Sequence, residues 1–189
     1  MEKKVKKKIK NPLVPQSSVI GAAGEHLVLS NLLRLNFVAG QSPYNTKDYD
    51  LVVLNKNGTS SFPIQVKTAL NKDGWVMKKK DETPIKNLIF CFVYLEIDSN
   101  KTEIYVLDSK TVSKILGFSH RIWLKVPGLK GRKHNDNKMR VLLRNNAVIV
   151  GKVKNFKEYL NSEEIDFLTK YSEGWLNKHK DAWNLIGNN

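Results

Sequence analysis

The chain has 189 residues, of which 41% are hydrophobic, so it is long enough for one folded domain with a real core and a small appendage. Its net charge of +14 points to nucleic acid or an anionic membrane surface as a partner, and a basic protein that merely needs solubility is the alternative. A lone cysteine, Cys91, excludes an internal disulfide and a cysteine-rich zinc site. The longest apolar run is far shorter than a membrane span, and no apolar segment of a secretory signal follows the N-terminal lysines, so we expect a cytoplasmic protein without a membrane partner.

In chain order, the sequence predicts three segments. Residues 1–15 form a flexible basic arm that is either a solvated tail or a DNA-contacting arm. Residues 16–150 form the main domain, and residues 151–189 form a helical extension packed on it. The extension contains a helix that begins at Ser162 and a last helix from about Ser172 to Ile186.

The main domain opens with a helix that Ser17 or Ser18 can cap and that runs to about Asn36. A hairpin follows around an Asn-Gly turn at 57–58, and Pro63 in its second strand predicts a bulge or an edge segment, because proline cannot donate to the ladder. Residues 75–80 form a short strand or a loop. The later elements are two strands, a short helix that Ser109 caps, and two extended stretches; they span residues 88–97, 103–107, 109–116, 121–126 and 139–143.

The hairpin places three polar residues close together. If Asn57 and Gly58 form its loop, the two positions of each pair sum to 115, so Asp50 lies opposite Gln65 and diagonal to Lys67. An acid, an amide oxygen and an ammonium on one face can hold a divalent metal ion and a phosphate. The alternative is a surface ion pair between Asp50 and Lys67.

Glu25 is the second candidate for this site. Its neighbours one helical turn away are all apolar or small: Gly21, Ala22, Val28 and Leu29. We therefore expect its carboxylate on the packing face of the first helix, where an unpaired charge is costly and needs a partner or a metal ion. It points either at the site of Asp50 and Lys67 or at a basic residue in an ion pair.

Three motifs in residues 18–70 resemble the PD-(D/E)XK nuclease superfamily: Gly24-Glu25, Tyr49-Asp50-Leu51-Val52-Val53 and Ile64-Gln65-Val66-Lys67. The likeness is greatest to members with a Gln-Val-Lys third motif, which include some intron-encoded and restriction-type endonucleases and archaeal Holliday-junction resolvases. The resemblance implies an α/β protein with a three-layer α/β/α restriction-endonuclease-like core and a mixed sheet, to which the C-terminal helices are added. It also implies a Mg²⁺- or Mn²⁺-dependent endonuclease that hydrolyses DNA phosphodiester bonds, and a possible homodimer.

Carried over by position, Asp50 would be the central metal ligand, and Gln65 and the Val66 carbonyl would complete the protein's share of the metal shell. Glu25 would help to bind the metal or orient water, and Lys67 would orient or activate the attacking water and steady the phosphate. The motif departs from the family at Gln65, where an acid is usual. A neutral ligand weakens metal affinity, so a catalytically silent, DNA-binding nuclease fold is one alternative, and an RNA-directed nuclease is another.

The remaining basic residues predict where nucleic acid binds. A loop rich in glycine, lysine and arginine follows residue 126, and a lysine run follows the hairpin. We expect phosphate contacts from Lys78, Lys79, Lys80, Arg121, Lys125, Lys130, Arg132, Lys133, Lys138 and Arg140. Trp123 either stacks on a base or belongs to the core.

Overall fold

The computed structural model describes residues 16–43, 46–96, 99, 101–147 and 155–187, so the predicted basic arm of residues 1–15 lies outside them. The strands are β1 (Ala39–Gln41), β2 (Leu51–Leu54), β3 (Ser61–Leu70), β4 (Gly74–Lys78), β5 (Ile89–Glu96), β6 (Lys101–Asp108) and β7 (Met139–Leu143). The α-helices are α1 (Ser17–Arg34), α2 (Ser109–Lys125) and α3 (Ser162–Lys170).

Five strands form a mixed sheet in the order β1-β2-β3-β5-β6, in which only the β3–β5 pair is parallel. Strands β4 and β7 form a separate antiparallel ribbon. Helix α1 covers one face of the main sheet, and α2 lies with the ribbon on the other. Because both faces are covered, six successive residues of β5 are buried, as expected for a central strand. The expected three-layer α/β class is confirmed.

Helix α1 packs unusually close to β3. Its buried stripe consists of Gly24, Val28 and Leu32. A Cβ atom on Gly24 would lie 1.9 Å from the side-chain oxygen of Thr68, so a larger residue cannot occupy this position without movement. The contact between Gly24 and Thr68 therefore determines where the next residue, Glu25, enters the site.

The β2–β3 hairpin keeps the predicted register from Leu51, opposite Ile64, to Leu54, opposite Ser61. Its loop is longer than predicted: the Asn55 N–H donates to the carbonyl of Ser60 at 2.9 Å, which leaves residues 56–59 in the turn. The centre of the turn is the same in both cases, and therefore the register does not change.

Pro63 lies in the regular part of β3, so the predicted bulge does not form there, but β3 is paired only with β2 at this residue, as the alternative of an edge segment predicted. Asn55 and Ser60 are a hydrogen-bonded pair, and such pairs alternate with non-bonded ones along an antiparallel ladder. Pro63 and Val52 fall on a non-bonded pair, and pairing with β5 begins only at Ile64. The missing N–H of the proline therefore removes no ladder hydrogen bond.

Helix α2 is longer than predicted. The sequence indicated a helix over 109–116 and a strand over 121–126, but one helix runs from Ser109 to Lys125. Its buried stripe continues past Gly117 through Ser119 and Ile122 at helical spacing, so packing extends the helix. The N-cap is Asp108, one residue earlier than expected, and its carboxylate accepts the Thr111 N–H at 2.8 Å.

The predicted last helix over 172–186 is not formed. Two 3₁₀ turns, Asn177–His179 and Trp183–Leu185, replace it, and positive φ angles at Gly174 and Asp181 interrupt the helical path. The segment crosses the open edge of β6, where Lys180 bridges to Tyr105. Aromatic and aliphatic side chains from this part of the chain enter both cores: Phe167, Tyr171, Trp175 and Leu176 on the α2 side, and Trp183 and Ile186 on the α1 side.

Cys91 lies in β5 and is fully buried, and burial raises the pKa of its thiol. The thiol is therefore an inert part of the core. Among the described residues, none of the helices is both long and apolar enough to cross a membrane.

Candidate active site

Asp50 lies directly before β2 and is held by backbone groups of β3. Its N–H donates to the carbonyl of Ile64 at 2.8 Å. The predicted register placed Asp50 opposite Gln65, so its backbone partner differs from that prediction by one residue. One of its carboxylate oxygens accepts the Val66 N–H at 2.7 Å. Ser42 binds the Asp50 carbonyl through both its N–H and its hydroxyl. The other carboxylate oxygen of Asp50 makes no hydrogen bond within the described residues, so it remains open to a ligand.

Glu25 lies half-buried beside the packing stripe of α1. It forms no ion pair with any residue that the structure describes, so the alternative of a simple ion pair is not observed there. Burial and then the nearby carboxylate of Asp50 raise the pKa of Glu25, and His26 opposes this effect. Two acids thus repel each other across a shared space, and a cation between them would relieve the repulsion.

Lys67 and Gln65 lie two residues apart on β3, so their side chains share one face of the sheet. Both are half-buried, and within the described ranges neither side chain makes a hydrogen bond or an ion pair. Lys67 is therefore not bridged to Asp50. Burial lowers the pKa of Lys67, the carboxylates of Asp81 and Asp50 oppose this effect, and Lys78 adds to the lowering.

These residues converge on the start of β2 from opposite sides. The alternating residues Ile64 and Val66 of β3 pack toward α1, the helix that carries Glu25. Lys67 points to the other face, and Asp50 acts electrostatically on both Glu25 and Lys67. The structure thus brings Glu25, Asp50 and Lys67 to one region, with Gln65 on the same face as the lysine.

The sequence interpretation missed Asp81. It lies in the 3₁₀ turn Lys79–Glu82 and is buried, and one of its carboxylate oxygens accepts the Lys78 N–H at 2.8 Å. Among the neighbouring charges, it favours the charged form of Lys67 most strongly. The available signal was an acid that follows three consecutive lysines, a position from which it can cap the turn.

The donor set fits a hard divalent cation only if neutral oxygens take part. In the described part of the chain, no group of three or more His, Cys, Asp or Glu residues could hold a metal ion. Glu25 and Asp50 could supply two carboxylates to a metal ion, and the amide oxygen of Gln65 and the carbonyl of Val66 could supply two neutral oxygens. Such an all-oxygen set suits Mg²⁺ or Mn²⁺, because these ions also retain several waters.

The predicted DNA-contacting set is reduced by one member. Arg140 is only 3% exposed, and its guanidinium binds Glu82, Asp136 and two backbone carbonyls. It was expected on the surface but instead holds the ribbon to the turn after β4. Three other members are exposed yet paired with an acid within the described residues: Lys79 with Asp136, Lys80 with Asp48, and Lys125 with Glu164.

The other six members of the set are exposed and form no ion pair with described residues: Lys78, Arg121, Lys130, Arg132, Lys133 and Lys138. The backbone connects the loop before β7 to the turn after β4, because the Lys79 N–H donates to the carbonyl of Lys138 at 2.9 Å. Trp123 belongs to α2 and is partly exposed between the rings of His120 and His134, at centroid distances of 5.4 and 4.0 Å. It is neither a core residue nor a freely exposed platform.

No model of a known protein family matches the chain, and no curated protein matches it. Among solved structures, it is similar to that of a bacterial homing endonuclease, I-Ssp6803I. That comparison has a TM-score of 0.46 and 11% sequence identity, and it covers 92% of each chain.

Proposed function

We propose that the protein is a Mg²⁺- or Mn²⁺-dependent endodeoxyribonuclease with its active site at Glu25, Asp50, Gln65 and Lys67. One observation carries the proposal. The Asp50 carboxylate accepts the Val66 N–H and acts electrostatically on Glu25 and Lys67, neither of which forms a side-chain hydrogen bond or an ion pair within the described residues. In a structural ion-pair network these charged side chains would be paired with each other. In a site for a cation and a phosphate they would be unpaired without those ligands.

The residues divide the work by their chemistry. The free oxygen of Asp50, the amide oxygen of Gln65 and the carboxylate of Glu25 would hold the metal ion, together with the Val66 carbonyl. A bound divalent cation supplies an acidified water and neutralises charge on the phosphate. Lys67 would contact a phosphate oxygen as a compact cation; burial lowers its pKa, and the charges of Asp81 and Asp50 oppose this lowering. Burial and the carboxylate of Asp50 raise the pKa of Glu25, and a bound cation would oppose this shift by favouring the charged carboxylate.

A plasmid-nicking assay in Mg²⁺ or Mn²⁺ tests the proposal. We expect Asp50→Asn and Lys67→Ala each to reduce cleavage by about 10²-fold or more, because each removes a group that meets the reacting phosphate or its metal. Binding of the same DNA in EDTA should remain near the wild-type level. Lys56→Ala in the exposed hairpin loop is the matched control and should cleave normally. Cleavage at the wild-type rate by either site variant would refute the assignment.

Gln65 favours a second candidate function, a catalytically silent nuclease fold that binds DNA. Its neutral side chain leaves only two carboxylates in the proposed metal shell. Isothermal titration with Mn²⁺ separates the two functions. If the natural protein shows no metal binding and Gln65→Glu restores it, the silent function is supported. An RNA-directed enzyme is tested by comparing the cleavage of duplex DNA, branched DNA and RNA under the same conditions.

A further inference from the structure

Two adjoining cavities lie between α2 and β7, away from the proposed catalytic residues. The first has a volume of about 240 Å³, and its apolar wall consists of Trp123, Met139, Val141 and Leu143. Ser119 and Asn137 add polar groups to it. The second has a volume of about 450 Å³, and both cavities are lined by His120 and Arg140. A ligand with an apolar ring and a polar extension can therefore occupy both.

The second cavity carries an excess of positive charge. Four of its charged side chains compensate each other, because Lys79 pairs with Asp136 and Arg140 pairs with Glu82. Two cations on the same wall, Lys114 and Arg121, pair with no acid among the described residues and lie over the ring of Phe118. This surplus attracts an anion.

We propose that the two cavities together bind one unpaired nucleotide of a DNA strand, with the base in the first cavity and a phosphate in the second. A base is flat and largely apolar on its faces, and its edge carries hydrogen-bonding groups. The Asn137 Oδ1 accepts the Met139 N–H at 2.8 Å, which leaves its amide NH₂ free, within the described residues, to donate to a base edge. The net charge of +14 makes a polyanion the natural source of such a group.

The inference rests on the proposed function for its substrate, because the same DNA strand would reach both sites. Met139, on the wall of the first cavity, lies directly opposite Lys78 in the β4–β7 ribbon. Lys78 lies at the end of β4, which follows β3 after a turn of three residues, and β3 carries Gln65 and Lys67. The ribbon therefore connects the wall of the first cavity to the strand of the proposed catalytic site.

The consequence is a preference for DNA that contains an unpaired base. A base inside a regular duplex is stacked on both sides, and its extrusion into a cavity costs free energy. A bulged or branched substrate has already lost that stacking. The substrate class is thus DNA with an unpaired nucleotide near the cleavage position, rather than uninterrupted duplex.

Fluorescence anisotropy in EDTA tests this with two labelled probes, a short duplex and the same duplex with one central unpaired nucleotide. We expect the full-length protein to bind the bulged probe about tenfold more tightly, because its unpaired base need not be extruded from a duplex stack. Val141→Phe narrows the first cavity with Trp123 itself unchanged, and it should remove most of this preference while leaving duplex binding unchanged. Arg121→Ala should weaken the bulged probe more than Lys110→Ala, the control at the other end of the same helix.

Trp123→Ala provides a second variant, with circular dichroism to establish that it folds, and it should also lose the preference. Equal binding of both probes by the natural protein would overturn the inference, and so would an equal loss for both probes in Val141→Phe. The preference is measured without cleavage and should persist in Asp50→Asn. A failure of the proposed catalytic site and a failure of the nucleotide cavities therefore give different results.

Discussion

Replacement of Gly24 by alanine tests whether the approach of α1 to β3 builds the site. The new Cβ would lie 1.9 Å from the Thr68 hydroxyl oxygen, whereas non-bonded atoms prefer about 3.5 Å or more. Rotation of Thr68 does not remove the clash, because its Cβ and Cγ2 lie at 3.0 and 3.1 Å. Overpacking costs about 1–3 kcal/mol, and the better helix propensity of alanine returns about 1 kcal/mol. We therefore expect a net loss of up to about 2 kcal/mol in the free energy of unfolding.

The same change should displace Glu25 from Asp50 and so reduce cleavage more than stability alone explains. Urea denaturation and plasmid nicking measure the two effects. Gly21→Ala is the control on the same helix, because nothing lies within 4 Å of its added Cβ, and it should stabilise the protein by up to about 1 kcal/mol. Thr68→Ala removes the clashing hydroxyl and should restore part of both losses in the double variant. A Gly24→Ala protein as stable and active as the natural one would refute the reasoning.

Three further predictions concern charged residues. Folding raises the pKa of Glu25, so the free energy of unfolding falls as the pH rises from about 4.5. Glu25→Gln should therefore be more stable than the natural protein at pH 7 but not below pH 4.5. Equal denaturation midpoints of the two proteins at pH 7 would contradict this prediction. Asp81→Asn should lower the pKa of Lys67 further, which an NMR titration of the lysine would detect and an unchanged titration would exclude. Arg140→Met should cost about 3 kcal/mol in urea denaturation, because Glu82 loses its buried partner, whereas Lys138→Met should stay within about 0.5 kcal/mol; similar losses for both would contradict the buried role.

The hairpin register was predictable from the sequence because it depends on local chemistry. An Asn-Gly turn between apolar runs sets the pairing, and the four-residue loop has the same centre as the predicted two-residue loop. The backbone of Asp50 was not predictable in this way. Its departure from the register accompanies the capture of the Val66 N–H by its own carboxylate, a tertiary contact that no periodicity shows.

The missed features of the site have the same origin. Asp81 reaches the surroundings of Lys67 only because β4 folds back beside β3, and Arg140 becomes buried only because β7 pairs with β4. Both facts depend on a ribbon whose two strands lie far apart in the chain. The C-terminal error has another cause: the aromatic spacing over 172–186 fits a helix, but it also fits a segment that crosses a sheet edge and buries residues on both sides.

The path of that C-terminal segment has a consequence for synthesis of the protein. Its residues complete the cores on both faces of the sheet, and the Asp181 N–H donates to the carbonyl of Ile104 on β6 at 3.0 Å. A nascent chain that has not yet produced residues 167–186 would expose two unfinished cores and an unprotected strand edge. The proposed catalytic residues all lie within the first 67 positions. The fold that holds them in place would therefore become stable only after the last part of the described chain has been synthesised.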